Sequence, residues 1–126
     1  MKLKRPNLNA DPHAERYLSV HKNRTGCGIS TAMADAIDAK GGKYLHFAID
    51  DQRRPWVAVL EEQTAQCEPE IRDNSGCQVN STLAAKHLGN LLPDRHGDQT
   101  VRLYMTADTY YDEEIDASLH RLSLPK

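Results

Sequence analysis

KNRTGCGISTAMA (Lys22–Ala34) returns fifty positions further on as RDNSGCQVNSTLA (Arg72–Ala84). In this register Gly26 matches Gly76, Cys27 matches Cys77, Ile29 matches Val79, Ser30 matches Asn80, Met33 matches Leu83 and Ala34 matches Ala84. The exchanges keep physical roles: apolar for apolar, and one helix N-capping type for another at Ser30 and Asn80. A unit of this size buries too little surface alone and leans on its copy. The doubling therefore predicts two units that share one interior.

Reading outward from the first copy, Arg16–Lys22 is a short strand, with Asn23-Arg24-Thr25-Gly26 as the break that ends it. Met33, Ala36 and Ile37 fall at helical spacing behind Ser30, giving a helix over 31–39 that Gly41-Gly42 stops. Lys43–Asp50 is a strand carrying Leu45, Phe47 and Ile49 on one face. Asp51–Arg54 is a polar turn, and Pro55–Leu60 returns antiparallel, with Pro55 tolerated at the strand's start. The second copy repeats the order: a strand at Glu70–Arg72, a break at 73–76, a helix over 81–92 ended by Pro93, a polar loop at 94–99 and a strand at Thr100–Thr106.

Tyr111, Ile115, Leu119 and Leu122 recur at i, i+4, i+8 and i+11, which predicts a C-terminal helix over 109–122. The fold class is then α+β: two pseudo-repeated strand–turn–helix–strand units, about 16–62 and 70–106, sharing a sheet or small barrel, plus that helix. Residues 16–126 form one domain behind a Pro- and Asn-containing arm, residues 1–15. With one Phe and one Trp among the residues, aliphatic side chains fill most of the core. The candidates are Ile29, Met33, Ile37, Leu45, Phe47, Ile49, Trp56, Val57, Val59, Val79, Leu83, Leu88, Val101, Leu103 and Met105.

The chain has 126 residues, 39% hydrophobic and 27% charged, with net charge -2. Length and composition fit one folded domain. The charge is below that of a strongly basic nucleic-acid-binding domain, but it is unevenly spread. Lys2, Lys4, Arg5, Arg16, Lys22 and Arg24 crowd the first 24 residues, and Asp108, Asp112, Glu113, Glu114 and Asp116 crowd 108–116. No apolar run approaches the roughly 20 residues of a membrane span, and no apolar core follows the basic N-terminus as in a secretory signal. Three cysteines without metal-ligand spacing are the pattern of a reduced, cytoplasmic protein.

No stretch carries a cofactor or metal signature. The six histidines form no HxH or HxxxH pair, and Ser30, Thr31, Ser81 and Thr82 are explained by capping. The DRHGD loop (Asp94–Asp98) sets two carboxylates around His96, which supports a minor reading as an acid–base enzyme; a solvated loop of turn-forming Asp and Gly explains it better. The main reading is a small non-catalytic DNA-binding regulator, with Lys22, Arg24, Arg53 and Arg54 in loops touching phosphate. The alternative is a protein-interaction, accessory or inhibitor module whose acidic helix (Asp112, Glu113, Glu114, Asp116) meets a basic partner. No cofactor is implied. The chain is expected to be a pseudo-twofold monomer or a homodimer.

GCGISTAMADAIDAKGGKYLHFAID (Gly26–Asp50) resembles the looped-hinge, AbrB-type swapped-hairpin domains of bacterial regulators. There, a Gly turn, an aliphatic residue, a short helix and a Gly before a strand follow in that order. Gly26, Ile29, Met33, Ile37, Gly42, Leu45 and Phe47 take those parts here. The resemblance implies an interlocked β-barrel, homodimeric in the family and formed here by two copies in one chain. It also implies DNA-contacting basic residues near the hinge, at Lys22 and Arg24.

Overall fold

The computed structural model describes residues 15–21, 26–73, 77–80, 82–92 and 100–124. Lys2, Lys4, Arg5, Lys22, Arg24, the His96 loop and the side chain of Leu83 lie outside the described residues. In chain order the elements are β1 (Tyr17–His21), β2 (Gly26–Ile29), α1 (Thr31–Ile37), β3 (Tyr44–Ile49) and β4 (Pro55–Leu60). There follow β5 (Ile71–Asp73), β6 (Cys77–Asn80), α2 (Thr82–Asn90), β7 (Thr100–Asp112) and β8 (Ala117–Leu122).

The fold is mostly β, which corrects the α+β expectation. All eight strands belong to one antiparallel sheet in the order β3-β4-β8-β7-β1-β2-β6-β5. Its two edges are brought together by a bridge between Tyr44 and Glu70. Leu45 N–H donates to Pro69 O at 3.0 Å and Ile71 N–H to Lys43 O at 2.7 Å, so the sheet curls into a nearly closed barrel. Closure leaves few unpaired strand edges, a hazard in any open sheet.

Each half is strand–strand–helix–strand–strand, not strand–helix–strand. The stretches GCGI and CQVN, which read as turns, are β2 and β6. They pair with each other: Cys27 faces Val79, Gly28 faces Gln78 and Ile29 faces Cys77. Read round the ring that the Tyr44–Glu70 bridge closes, exchanging β1–β4 for β5–β8 gives the same strand order in the opposite sense, with that bridge in the place of the β1–β7 ladder. No half closes on its own, because β1 pairs with β7, β2 with β6 and β4 with β8.

The C-terminal helix is also replaced by strand. Residues 109–112 and 117–122 form the outer part of the β7–β8 hairpin, in which Tyr110 faces Leu119 and Tyr111 faces Ser118. Thr109-Tyr110-Tyr111 is a run of strand-favouring side chains, and the ladder to β8 outweighs a four-point helical periodicity. Asp112 Oδ1 accepts the Glu114 N–H at 2.9 Å, and Asp116 takes a positive φ of 50°, which turns the chain back.

Ser30 anchors α1. Its Oγ accepts the Met33 N–H at 3.2 Å and the Tyr17 N–H at 3.0 Å, and donates to Glu15 O at 2.7 Å. One hydroxyl thus caps the helix and fastens it to β1. The helix ends earlier than the Gly pair suggests: Asp38 adopts the left-handed conformation and its N–H returns to Ala34 O.

Alternate residues of the strands fill the interior. Leu18, Leu45, Val57, Ile71, Val79, Leu103 and Leu122 are fully enclosed, with Met33 of α1 and Leu88 of α2. Each such side chain contributes about 1.5–3 kcal/mol on burial. Phe47, Val59 and Met105 pack against this cluster while partly exposed. Two expected core members do not join it: Ile49, at the hairpin end of β3, is 43% exposed, and Trp56 is only half-buried. No described helix is long and apolar enough to cross a membrane.

Candidate nucleic-acid interface

The side chains that alternate with the interior set face outward. Across β7, β1, β2, β6 and β5 they form one continuous row. Arg102 lies opposite Ser19, Ser19 opposite Gly28, Gly28 opposite Gln78, and Gln78 opposite Arg72. Four interstrand steps of about 4.8 Å put the two arginines ~19 Å apart along the sheet. Between them the surface is low and polar. A Cβ built on Gly28 would meet only the Ser19 side chain, its Cβ at 3.7 Å and Oγ at 4.0 Å, so glycine keeps this centre low without being sterically required. Arg102 is held beside the row by its guanidinium over the Tyr17 ring, 4.4 Å from the centroid, and by Glu15 at 3.7 Å. Tyr104 meets Tyr17 edge-on with ring centroids 5.8 Å apart. Neither Arg72, which the sequence offers only as a poorer contact beside Asp73, nor Arg102 was among the expected contacts. The strand alternation around Leu18, Leu103, Ile71 and Val79 marks their parity, but only the pairing map puts them in one row.

Arg53 and Arg54 occupy the β3–β4 turn and differ in availability. Asp50 organises that turn by accepting the backbone N–H of Gln52 at 2.9 Å and of Arg54 at 2.8 Å. Its other oxygen accepts Arg54 Nε at 2.8 Å and Trp56 Nε1 at 2.9 Å. Desolvation opposes the charge on Asp50, yet these bonds from Trp56 and Arg54 outweigh it and hold the carboxyl at about 2. Arg54 is thereby neutralised locally. Arg53, at φ 62° and exposed, is the outward-facing cation of the pair. Neither lies in the Arg102–Arg72 row.

The acidic set is at the tip of the β7–β8 hairpin and not on a helix face. Glu114 and Asp116 line a cleft beneath α1; Asp112 and Glu113 do not. Asp116 also accepts the Tyr111 hydroxyl.

One buried polar cluster has no local sequence signal. His46 Nδ1 lies 3.0 Å from Glu68 Oε1, both residues nearly fully buried. Glu68 also accepts the Thr64 N–H at 2.7 Å and the Thr64 hydroxyl. Burial raises the Glu68 carboxyl, but the Thr64 hydroxyl, His46 and the Thr64 amide more than compensate and bring it to about 2. Both the hydroxyl and the imidazole point at the carboxylate, so the ring is not placed to take a proton from Thr64. The cluster pins the connection between β4 and β5 onto the outside of β3.

The three cysteines are free. Cys27 sits opposite Val79 and Cys77 opposite Ile29. Burial pushes the Cys27 thiol up to about 11, which disfavours the reactive thiolate. Among the described residues no group of three or more His, Cys, Asp or Glu is placed to hold a metal ion. Comparison with protein families, curated proteins and solved structures gave no match.

Proposed function

We propose that the chain is a small non-catalytic DNA-binding regulator, built from two tandem looped-hinge units folded as a pseudo-dimer. The observation that carries this reading is the outward row Arg102–Ser19–Gly28–Gln78–Arg72, centred on the crossing of β2 and β6. The row follows the curve of the barrel wall, and the cation at each of its ends is exposed and available to a phosphate. Lys22 and Arg24, in the connection between β1 and β2, add phosphate contacts from the sequence pattern, and Arg53 supplies a further one. The interlocked strand order is what the looped-hinge resemblance implies, and it supports the same reading. Arg54, tied to Asp50, contributes less.

The test is fluorescence anisotropy with a random-sequence 30-bp duplex. Five phosphate contacts give a log–log salt slope of about -4.5, so affinity falls roughly five-hundredfold between about 50 and 200 mM salt. The double variant R72E/R102E lowers that slope by about 2. Absence of binding at 50 mM salt, or binding unaltered by R72E/R102E, contradicts the reading.

A further inference from the structure

Phosphate contacts hold a protein on a duplex, but sequence is read by groups that reach the base edges. In the row Arg102–Ser19–Gly28–Gln78–Arg72 the two end members are cations, and Ser19 and Gly28 are small. Gln78 is the one member with a planar amide, which offers a donor and an acceptor side by side. It stands on β6, half-buried and directly across from Gly28.

The same arrangement recurs two residues further along β6. Cys27 and Val79 are buried, so strand alternation puts Gly26 and Asn80 on the outer face with Gly28 and Gln78. Gly26 faces Asn80 in the ladder. The exposed Asn80 leans over this partner: a Cβ built on Gly26 would come within 3.2 Å of Asn80 Oδ1. β6 thus carries two amides about 6.8 Å apart, and β2 sets glycine opposite each, so no side chain of β2 rises beside them. On the β1 side the surface dips into a hollow of about 230 Å³, lined in part by Ser19, Gly28 and Gln78. The other polar groups of that hollow are committed. Ser30 Oγ bonds Tyr17, Met33 and Glu15, and the Tyr17 ring carries the Arg102 guanidinium.

We propose that β6 reads adenine in the major groove of duplex DNA through Gln78 and Asn80. This rests on the DNA-binding reading above and adds to it the base that the site prefers. The major groove admits a two-stranded β-ribbon, and the β2–β6 pair forms the middle of the row. An Asn or Gln amide matches adenine there, its oxygen accepting from N6 and its nitrogen donating to N7. Arg72 and Arg102 bind phosphate whatever the sequence; the two amides supply the discrimination that the arginines lack.

The test selects bound duplexes from a fully randomised library with the full chain, then measures the recovered sequence by anisotropy. The recovered duplexes are expected to share adenine at two positions. Gln78→Ala should lose the preference at one and Asn80→Ala at the other, each weakening the selected duplex about tenfold while leaving random duplex nearly unchanged. Both side chains face outward, so an unaltered Tm is expected for each variant. A chemical probe needs no variant to fold: 7-deazaadenine, which lacks the N7 acceptor, should weaken the wild-type chain at the Gln78 position and leave Gln78→Ala unaffected. Salt-sensitive binding that R72E/R102E weakens, but with no adenine preference, overturns this inference and leaves the DNA-binding reading standing. The same holds for a preference that survives Gln78→Ala and Asn80→Ala, or for indifference to 7-deazaadenine. Absence of binding to any duplex at low salt overturns both.

Discussion

The β3–β4 and β7–β8 hairpins occupy exchangeable places in the barrel and are built to different ends. The first is short: six residues per strand, closed by a turn that Asp50 holds with four hydrogen bonds. The second has a thirteen-residue leading strand whose pairing to β8 shifts register between Met105 and Thr109. Beyond that shift the strand leaves the barrel wall. Tyr110 is 62% and Tyr111 54% exposed, and the tip is acidic. A register shift bends and twists a ladder; here it lies between the part of β7 that pairs with β1 and the exposed outer arm. One hairpin therefore serves the interior, and the other gives up burial to make a surface.

The largest effect should separate the two hairpins by packing. Leu45→Ala, in the interior face of β3, is expected to cost about 2–5 kcal/mol in urea unfolding. Tyr110→Ala on the exposed arm should stay within about 0.5 kcal/mol. Comparable losses at both positions would mean that the arm is packed and the contrast false.

Acid titration sharpens the same comparison. Glu68 is held at about 2 in the folded chain against an ordinary 4.5. Between those values the unfolded chain binds more protons, so the stabilisation is complete above about 4.5 and fades as pH falls towards 2. Glu68→Gln should lower stability at pH 7 by ~1–3 kcal/mol and flatten that acid limb; an unchanged limb would place Glu68 outside the stabilising network. Asp50, ordinarily at 3.8 and held at about 2, acts in the same direction. Asp50→Ala should give a smaller loss, seen as faster amide exchange at Gln52 and Arg54. The smallest effect belongs to the arm: replacing Asp112–Asp116 with an Asn-Gly turn should change stability by no more than about 0.5 kcal/mol in urea unfolding.

The first hairpin was legible in the sequence because its information is local. YLHFAI and PWVAVL are runs of strand formers separated by a polar turn, and Pro55–Leu60 has the bounds its composition suggests. Ser30 likewise announces α1. The central strands were not legible. GCGI and CQVN are four residues long, rich in small or polar groups, and their partner lies fifty residues away, so nothing within a local window distinguishes them from turns. The β7–β8 hairpin failed differently: Tyr111, Ile115, Leu119 and Leu122 mimic a helical stripe, although Ile115 is in the tip and only Leu122 of the four joins the main core. At the candidate interface, Arg53 and Arg54 were visible as a basic turn, but the restraint of Arg54 by Asp50 and the alignment of Arg72 with Arg102 depend on three-dimensional pairing.

The claim on which the rest depends is that the two halves interlock through β2 and β6. A nuclear Overhauser spectrum of the isotope-labelled chain tests it directly. The account predicts cross-strand backbone contacts joining Cys27 to Val79, Gly28 to Gln78 and Ile29 to Cys77. Only sequential or turn-type contacts in Gly26–Ile29, with none reaching Cys77–Asn80, would contradict it.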